Sequence, residues 1–103
     1  MLDKEKAREI AIKYADEVLK AFKPKSIILF GSYISGSPHE YSDIDIAVVV
    51  DDFQGDWLET AAMLCGLTRR VSIDIEPHLM DESLDHSGFL EHVKKTGEFV
   101  YSE

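Results

Sequence analysis

Cysteine is nearly absent from this chain of 103 residues, which carries only Cys65. A lone thiol excludes an internal disulfide, and the four histidines, His39, His78, His86 and His92, show no zinc-ligand spacing. Cys65 stands in a helical stretch, where it is expected to behave as a small buried apolar residue. Positive charge is also scarce: 11 Lys and Arg against 20 Asp and Glu leave a net charge of −9. Nucleic-acid affinity is built on Lys and Arg at phosphates, so no nucleic-acid partner and no polymerase role are expected. An acidic surface serves solubility first and a basic protein partner second. No apolar run approaches the roughly 20 residues of a membrane span, and no signal-peptide pattern is seen, so a cytoplasmic protein with no membrane partner is expected. The phosphate-binding pattern Gly-x-x-x-x-Gly-Lys-Ser/Thr and the dinucleotide pattern Gly-x-Gly-x-x-Gly are both missing. An EF-hand reading of Asp43-x-Asp45 fails at its fifth position, which is Ala47.

What remains is a length suited to one domain, residues 1–103, with a modest core and no separate substrate-binding lobe. The coarse order is helix, strand, loop, strand, helix, strand, helix and a short extended tail. Asp3 is placed to cap a first helix over residues 3–22, with Ala7, Ile10, Ala11, Tyr14, Val18 and Ala21 forming one apolar stripe. A second helix over residues 56–69 turns Trp57, Ala61, Leu64 and Thr68 inward. A third over residues 82–95 offers His86, Phe89, Leu90 and Val93, stops at Gly97, and gives way to an extended segment at 99–101. Residues 51–56, rich in Asp and Gly, read as a mobile loop with solvated charges.

The chemistry is concentrated in residues 27–49. A short branched apolar run, residues 27–30, ends in Gly31-Ser32; after ten residues comes Asp43-Ile44-Asp45-Ile46-Ala47-Val48-Val49. Side chains alternate along a strand, so Asp43 and Asp45 share one face and Ile44, Ile46 and Val48 line the other. At about 5 Å the two carboxylates repel by roughly 3 kcal/mol for an effective dielectric near 20. A hard divalent cation relieves this, and Mg²⁺, which completes its shell with water and substrate phosphate, suits a short carboxylate pair. A turn at Gly31-Ser32 that opens a helical segment would present free N–H groups and the Ser32 hydroxyl to an anion such as phosphate.

Gly31-Ser32, ten residues, then Asp43-Ile44-Asp45 resembles the signature of the minimal nucleotidyltransferases, small relatives of the DNA polymerase beta-like superfamily. The likeness covers nearly the whole chain. It implies an α/β nucleotidyltransferase fold, a small mixed sheet with helices packed on it. It also implies transfer of a nucleoside monophosphate from a triphosphate such as ATP to an acceptor hydroxyl, with two Mg²⁺ ions and loss of pyrophosphate. Carried over, Asp43 and Asp45 bridge the two metals, and Gly31 and Ser32 grip the triphosphate. The third carboxylate, which holds the acceptor-side ion and helps take the hydroxyl proton, falls at Asp74 in the run Val71-Ser72-Ile73-Asp74-Ile75-Glu76; Glu76 shares its face and is the weaker candidate. The helix between the Asp43 and Asp74 strands implies a right-handed crossover and parallel pairing.

Many members carry an Arg three residues after the Ser, just before a Gly, where this chain has Ser35 before Gly36. Arg69 and Arg70, expected at the same sheet edge, or Lys23 and Lys25, are the cations available instead. Small relatives often pair with an all-helical HEPN-type toxin as its antitoxin, in some cases by transferring AMP to a toxin tyrosine. The expected partners are therefore a nucleoside triphosphate and a HEPN-type protein, with self-association left open. A non-catalytic interaction module and a nucleotide sensor that binds without turnover are the alternatives.

Overall fold

The computed structural model describes residues 3–31 and 43–103. Ser32, Ser35, Gly36 and His39 fall outside the described residues. Helix α1 (Lys4–Ala21) starts where expected, with Asp3 Oδ1 accepting the Lys6 N–H at 2.8 Å. It buries Ala7, Ala11, Tyr14, Ala15 and Val18, while Ala21 at its end is exposed. Pro24 follows, and strand β1 (Ser26–Phe30) begins two residues later. Strand β2 (Ile44–Val50) carries the acidic motif, helix α2 (Trp57–Leu67) crosses over, and strand β3 (Ile75–Asp81) follows a 3₁₀ turn at Thr68–Arg70. A second 3₁₀ turn, Glu82–Leu84, precedes helix α3 (Phe89–Thr96), and the tail forms strand β4 (Glu98–Ser102).

The sheet order is β3-β2-β1-β4, with β2 and β3 parallel and β1 antiparallel to both β2 and β4. This is the mixed sheet with packed helices that the family resemblance implies, and the parallel pairing is as expected from the crossover helix. Strand alternation divides the core into two layers. Ile27, Leu29, Ile44, Ile46, Val48 and Ile75 pack with α1 and Leu64 of α2, whereas Ile28, Ala47 and Val49 pack with Leu90 and Val93 of α3. Each aliphatic side chain fully withdrawn from water in these layers contributes roughly 1.5–3 kcal/mol. The buried Tyr14 hydroxyl donates to the Leu64 carbonyl at 2.6 Å and fastens α1 to α2.

Several local expectations are corrected. The third helix does not start at residue 82. Asp85 accepts the N–H groups of Leu90 at 3.0 Å and Glu91 at 3.1 Å, and Gly88 adopts φ +79°, so the helix begins at Phe89. His86 is left exposed before it, and Phe89 is half exposed. Trp57, expected inward, sits partly exposed at the start of α2 with its ring edge-on to Phe53. Cys65 is exposed, since it shares the outer side of α2 with Ala62 and Gly66. The loop at residues 51–56 is anchored: the Asp81 carboxylate accepts the N–H of Asp52 at 3.0 Å and of Phe53 at 2.9 Å.

Candidate active site

Three strand ends meet at one sheet edge. Because β1 and β2 are antiparallel with Phe30 opposite Asp45, the chain leaving β1 at Gly31 arrives beside the residues entering β2. Gly31 has φ +88°, and a Cβ built on it would collide with Asp45 Oδ2. Only glycine supplies both that backbone and that clearance. The glycine of the sequence motif is thus in contact with the second aspartate of the same motif.

The parallel β2–β3 register sets Asp45 against Glu76 and Ala47 against His78. Ligand-type atoms of Asp45, Glu76 and His78 all lie within 4.8 Å of one another, the one such group among the described residues. His78 Nε2 stands 3.1 Å from Asp45 Oδ1; with Asp45 ionised, the ring nitrogen is the donor. The His78 ring is also held edge-on by Phe30 at 5.2 Å, and Phe30 in turn meets Phe89 of α3 at 6.0 Å. The hydrogen bond to Asp45 raises the His78 pKa, burial opposes this, and the charges of Asp45 and Glu76 add to the rise. The Glu76 carboxyl is also pushed up: burial is the main cause, His78 opposes it, and Asp45 and Asp43 reinforce it. Asp43, exposed one residue before β2, adds to the rise at Glu76 but is not one of the three close donors.

Asp74 does not join that group. The strand expected over residues 71–76 begins only at Ile75, because the N–H groups of Val71 and Ser72 both turn back to the Thr68 carbonyl, at 3.0 and 2.8 Å. Asp74 lies exposed in the turn before β3, its carbonyl accepting the Ile44 N–H at 2.8 Å. Nor do the expected cations converge on the acids. Arg70 pairs with Glu17 of α1 at 3.4 Å, on the opposite face of the sheet, and the turn that holds Arg69 packs there too. Lys25 pairs with Glu82 at 2.7 Å at the far end of the sheet, where Lys23 lines a cavity with Phe22 and Phe53. Strand polarity explains this: β1 starts where β2 ends, so residues before Ser26 cannot reach the start of β2.

The residue missed in the sequence is His78. Its signal was there in the period of two: Glu76 and His78 on β3 share the face of Asp43 and Asp45, but a histidine beside a proline carries no metal-ligand spacing by itself.

Residues 11–103 match the family described as polymerase beta, nucleotidyltransferase. The chain belongs to the polymerase beta nucleotidyltransferase family. Within it, a candidate protein adenylyltransferase of Methanocaldococcus jannaschii is 49% identical over 41 residues, which is 40% of this chain and 48% of that protein. The chain thus matches about half the length of that relative. A crystal structure of a toxin–antitoxin with AMP-PNP superposes with a TM-score of 0.64 at 27% identity, over 89% of this chain and 73% of that one. The nucleotidyltransferase fold is shared also with a structure of a tri-AMPylated Shewanella oneidensis HEPN toxin in complex with an MNT antitoxin, at TM-score 0.61, 24% identity, and 93% and 73% coverage.

The donor set of this nucleotidyltransferase fits a divalent cation. Donor atoms of Asp45, Glu76 and His78 lie within 4.8 Å of one another, and the negative charges of Asp45 and Asp43, which add to the desolvation that raises the Glu76 pKa, would be offset by a cation between β2 and β3. Asp45, Glu76 and His78 are the residues that could hold it.

Proposed function

We propose that the chain transfers a nucleoside monophosphate, AMP from ATP in the presence of Mg²⁺, to a hydroxyl on a protein partner. The partner is a HEPN-type toxin and this chain its cytoplasmic antitoxin. Among the described residues, no helix is long and apolar enough to cross a membrane. The observation that carries the reading is the meeting of Gly31, Asp45 and Glu76 at one sheet edge. The AMP-PNP toxin–antitoxin neighbour and the adenylyltransferase relative support the choice of nucleotide, reaction and partner.

In the reaction, a bond forms between the acceptor oxygen and the α-phosphorus, the α–β bridge breaks, and pyrophosphate leaves. Two Mg²⁺ ions would supply charge neutralisation at the attacking and leaving oxygens. Asp43 and Asp45 would hold both ions, and Gly31, with Ser32 beyond the described residues, would face the triphosphate. The acceptor hydroxyl gives its proton to a third carboxylate. The register favours Glu76 for this role, beside Asp45; Asp74, from the strand signature, is the alternative. Label transfer from α-labelled ATP to the co-encoded partner tests the reading. Transfer should vanish in Asp43→Asn/Asp45→Asn, and an unmodified partner with every nucleotide tried rejects the enzyme. Of Asp74→Asn and Glu76→Gln, the variant that loses 100-fold or more identifies the third carboxylate of the site.

A second reading, a non-catalytic module that neutralises a partner by occlusion, is favoured by one observation. Arg70 and Lys25 are committed to Glu17 and Glu82, away from the acids.

A further inference from the structure

We propose that His78 is itself a ligand of the metal centre, and that the nitrogen it adds makes the position between β2 and β3 prefer a first-row transition ion such as Mn²⁺ over Mg²⁺. The inference rests on the nucleotidyltransferase reading in one respect, that a cation is held by Asp45 and Glu76.

The spacing carries the argument. Two donors that occupy neighbouring positions on one ion, each with a bond of about 2.0–2.2 Å, stand about 3 Å apart. His78 Nε2 and Asp45 Oδ1 are 3.1 Å apart, the spacing of neighbouring donors once an ion displaces the Nε2 proton that otherwise bonds Asp45, and a Glu76 oxygen lies within 4.8 Å of both. The three donors come from two neighbouring parallel strands, so backbone hydrogen bonding fixes their relative height. The imidazole is also fixed in direction. It is about one-third exposed, its edge contact with Phe30 limits rotation, and the residue opposite it on β2 is Ala47, whose small side chain leaves the ring room to lie over the strand. Little ordering is left to be done on binding.

The donor type decides the ion. Carboxylates serve Mg²⁺ and Mn²⁺ alike, whereas imidazole suits transition ions and is a poor partner for Mg²⁺, which demands oxygen. In a site otherwise made of carboxylates, the discrimination therefore resides in His78. A role confined to orienting Asp45 through the hydrogen bond would leave the ion without a nitrogen neighbour, and spectroscopy separates the two.

The full chain with Mn²⁺ alone is examined by pulsed electron paramagnetic resonance. Nitrogen modulation from a directly bound imidazole is expected; histidine labelled with the heavy nitrogen isotope should shift it, and His78→Gln should remove it while Mn²⁺ still binds. Competition between the ions should show the preference for Mn²⁺ over Mg²⁺ falling about tenfold in His78→Gln. Mn²⁺ bound without nitrogen modulation, or modulation that persists in His78→Gln, overturns the proposal and leaves the carboxylate centre standing. If wild type and Asp45→Asn bind Mn²⁺ equally poorly, the proposal falls together with the metal reading of the acids. The labelled wild-type measurement decides even if His78→Gln does not fold.

Discussion

The α-carbon of Gly31 faces the Asp45 carboxylate so closely that no side chain fits between them. Gly31→Ala must therefore move either the β1 exit or the aspartate, and its φ of +88° adds strain. We expect a loss of about 1–3 kcal/mol in denaturant unfolding, the range for strained backbone positions, together with a fall in AMP transfer. Gly66 is the control: it lies in α2 with open space where its Cβ would be, so Gly66→Ala should stabilise by about 0.5–1 kcal/mol. Equal effects at the two sites would contradict the account of Gly31.

Divalent cations should stabilise the fold by mass action. At 100 times its dissociation constant, an ion bound only by the native state adds about 2.7 kcal/mol. The melting temperature should rise with Mg²⁺ or Mn²⁺, and the rise should disappear in Asp45→Asn. A rise that persists in that variant would place the ion elsewhere.

Asp81 governs acid stability at the other end of the sheet. Hydrogen bonds from the Phe53 backbone, then from the Ser83 side chain, outweigh burial and hold its pKa down to about 2, with the Ser83 and Asp52 N–H groups adding to the effect. A folded pKa below the unfolded value of about 3.9 stabilises the native state above that value. That contribution is lost as the pH falls from about 4 toward 2. Asp81→Asn should lower the melting temperature at pH 7 and flatten its decline across that acid window. An unchanged decline would show that Asp81 is not the group responsible.

Tyr14→Phe removes the one hydroxyl that ties α1 to the Leu64 carbonyl, and burial already pushes the Tyr14 pKa up, as expected of a group that stays neutral. The loss should be about 1–2 kcal/mol in denaturant unfolding, from a missing bond and a carbonyl left short of a partner. Activity at temperatures well below the melting point should be retained.

The first two helices and the acidic strand were legible because their signals are local: Asp3 bonds its own first turn, and the alternation at Asp43 and Asp45 is written in adjacent residues. The start of β3 was not. Val71, Ile73 and Ile75 alternate as a strand should, but Ile73 is 86% exposed, and a tertiary event, the closing of the 3₁₀ turn onto the Thr68 carbonyl, delays the strand to Ile75. That delay leaves Asp74 in the turn, while the register seats Glu76 beside Asp45. The anchoring of residues 51–56 was hidden for the same reason, because Asp81 lies about 30 positions downstream of the N–H groups it binds. A clue existed in Asp81-Glu82-Ser83, whose first and third residues are turn-forming types that bond each other.

The two layers of the sheet divide labour unevenly. Most of the packing lies with α1 and α2, and the acids open on the other side, at the solvent-accessible end of β2 and β3. A descendant that exchanged Asp45 for a neutral residue would keep its shape.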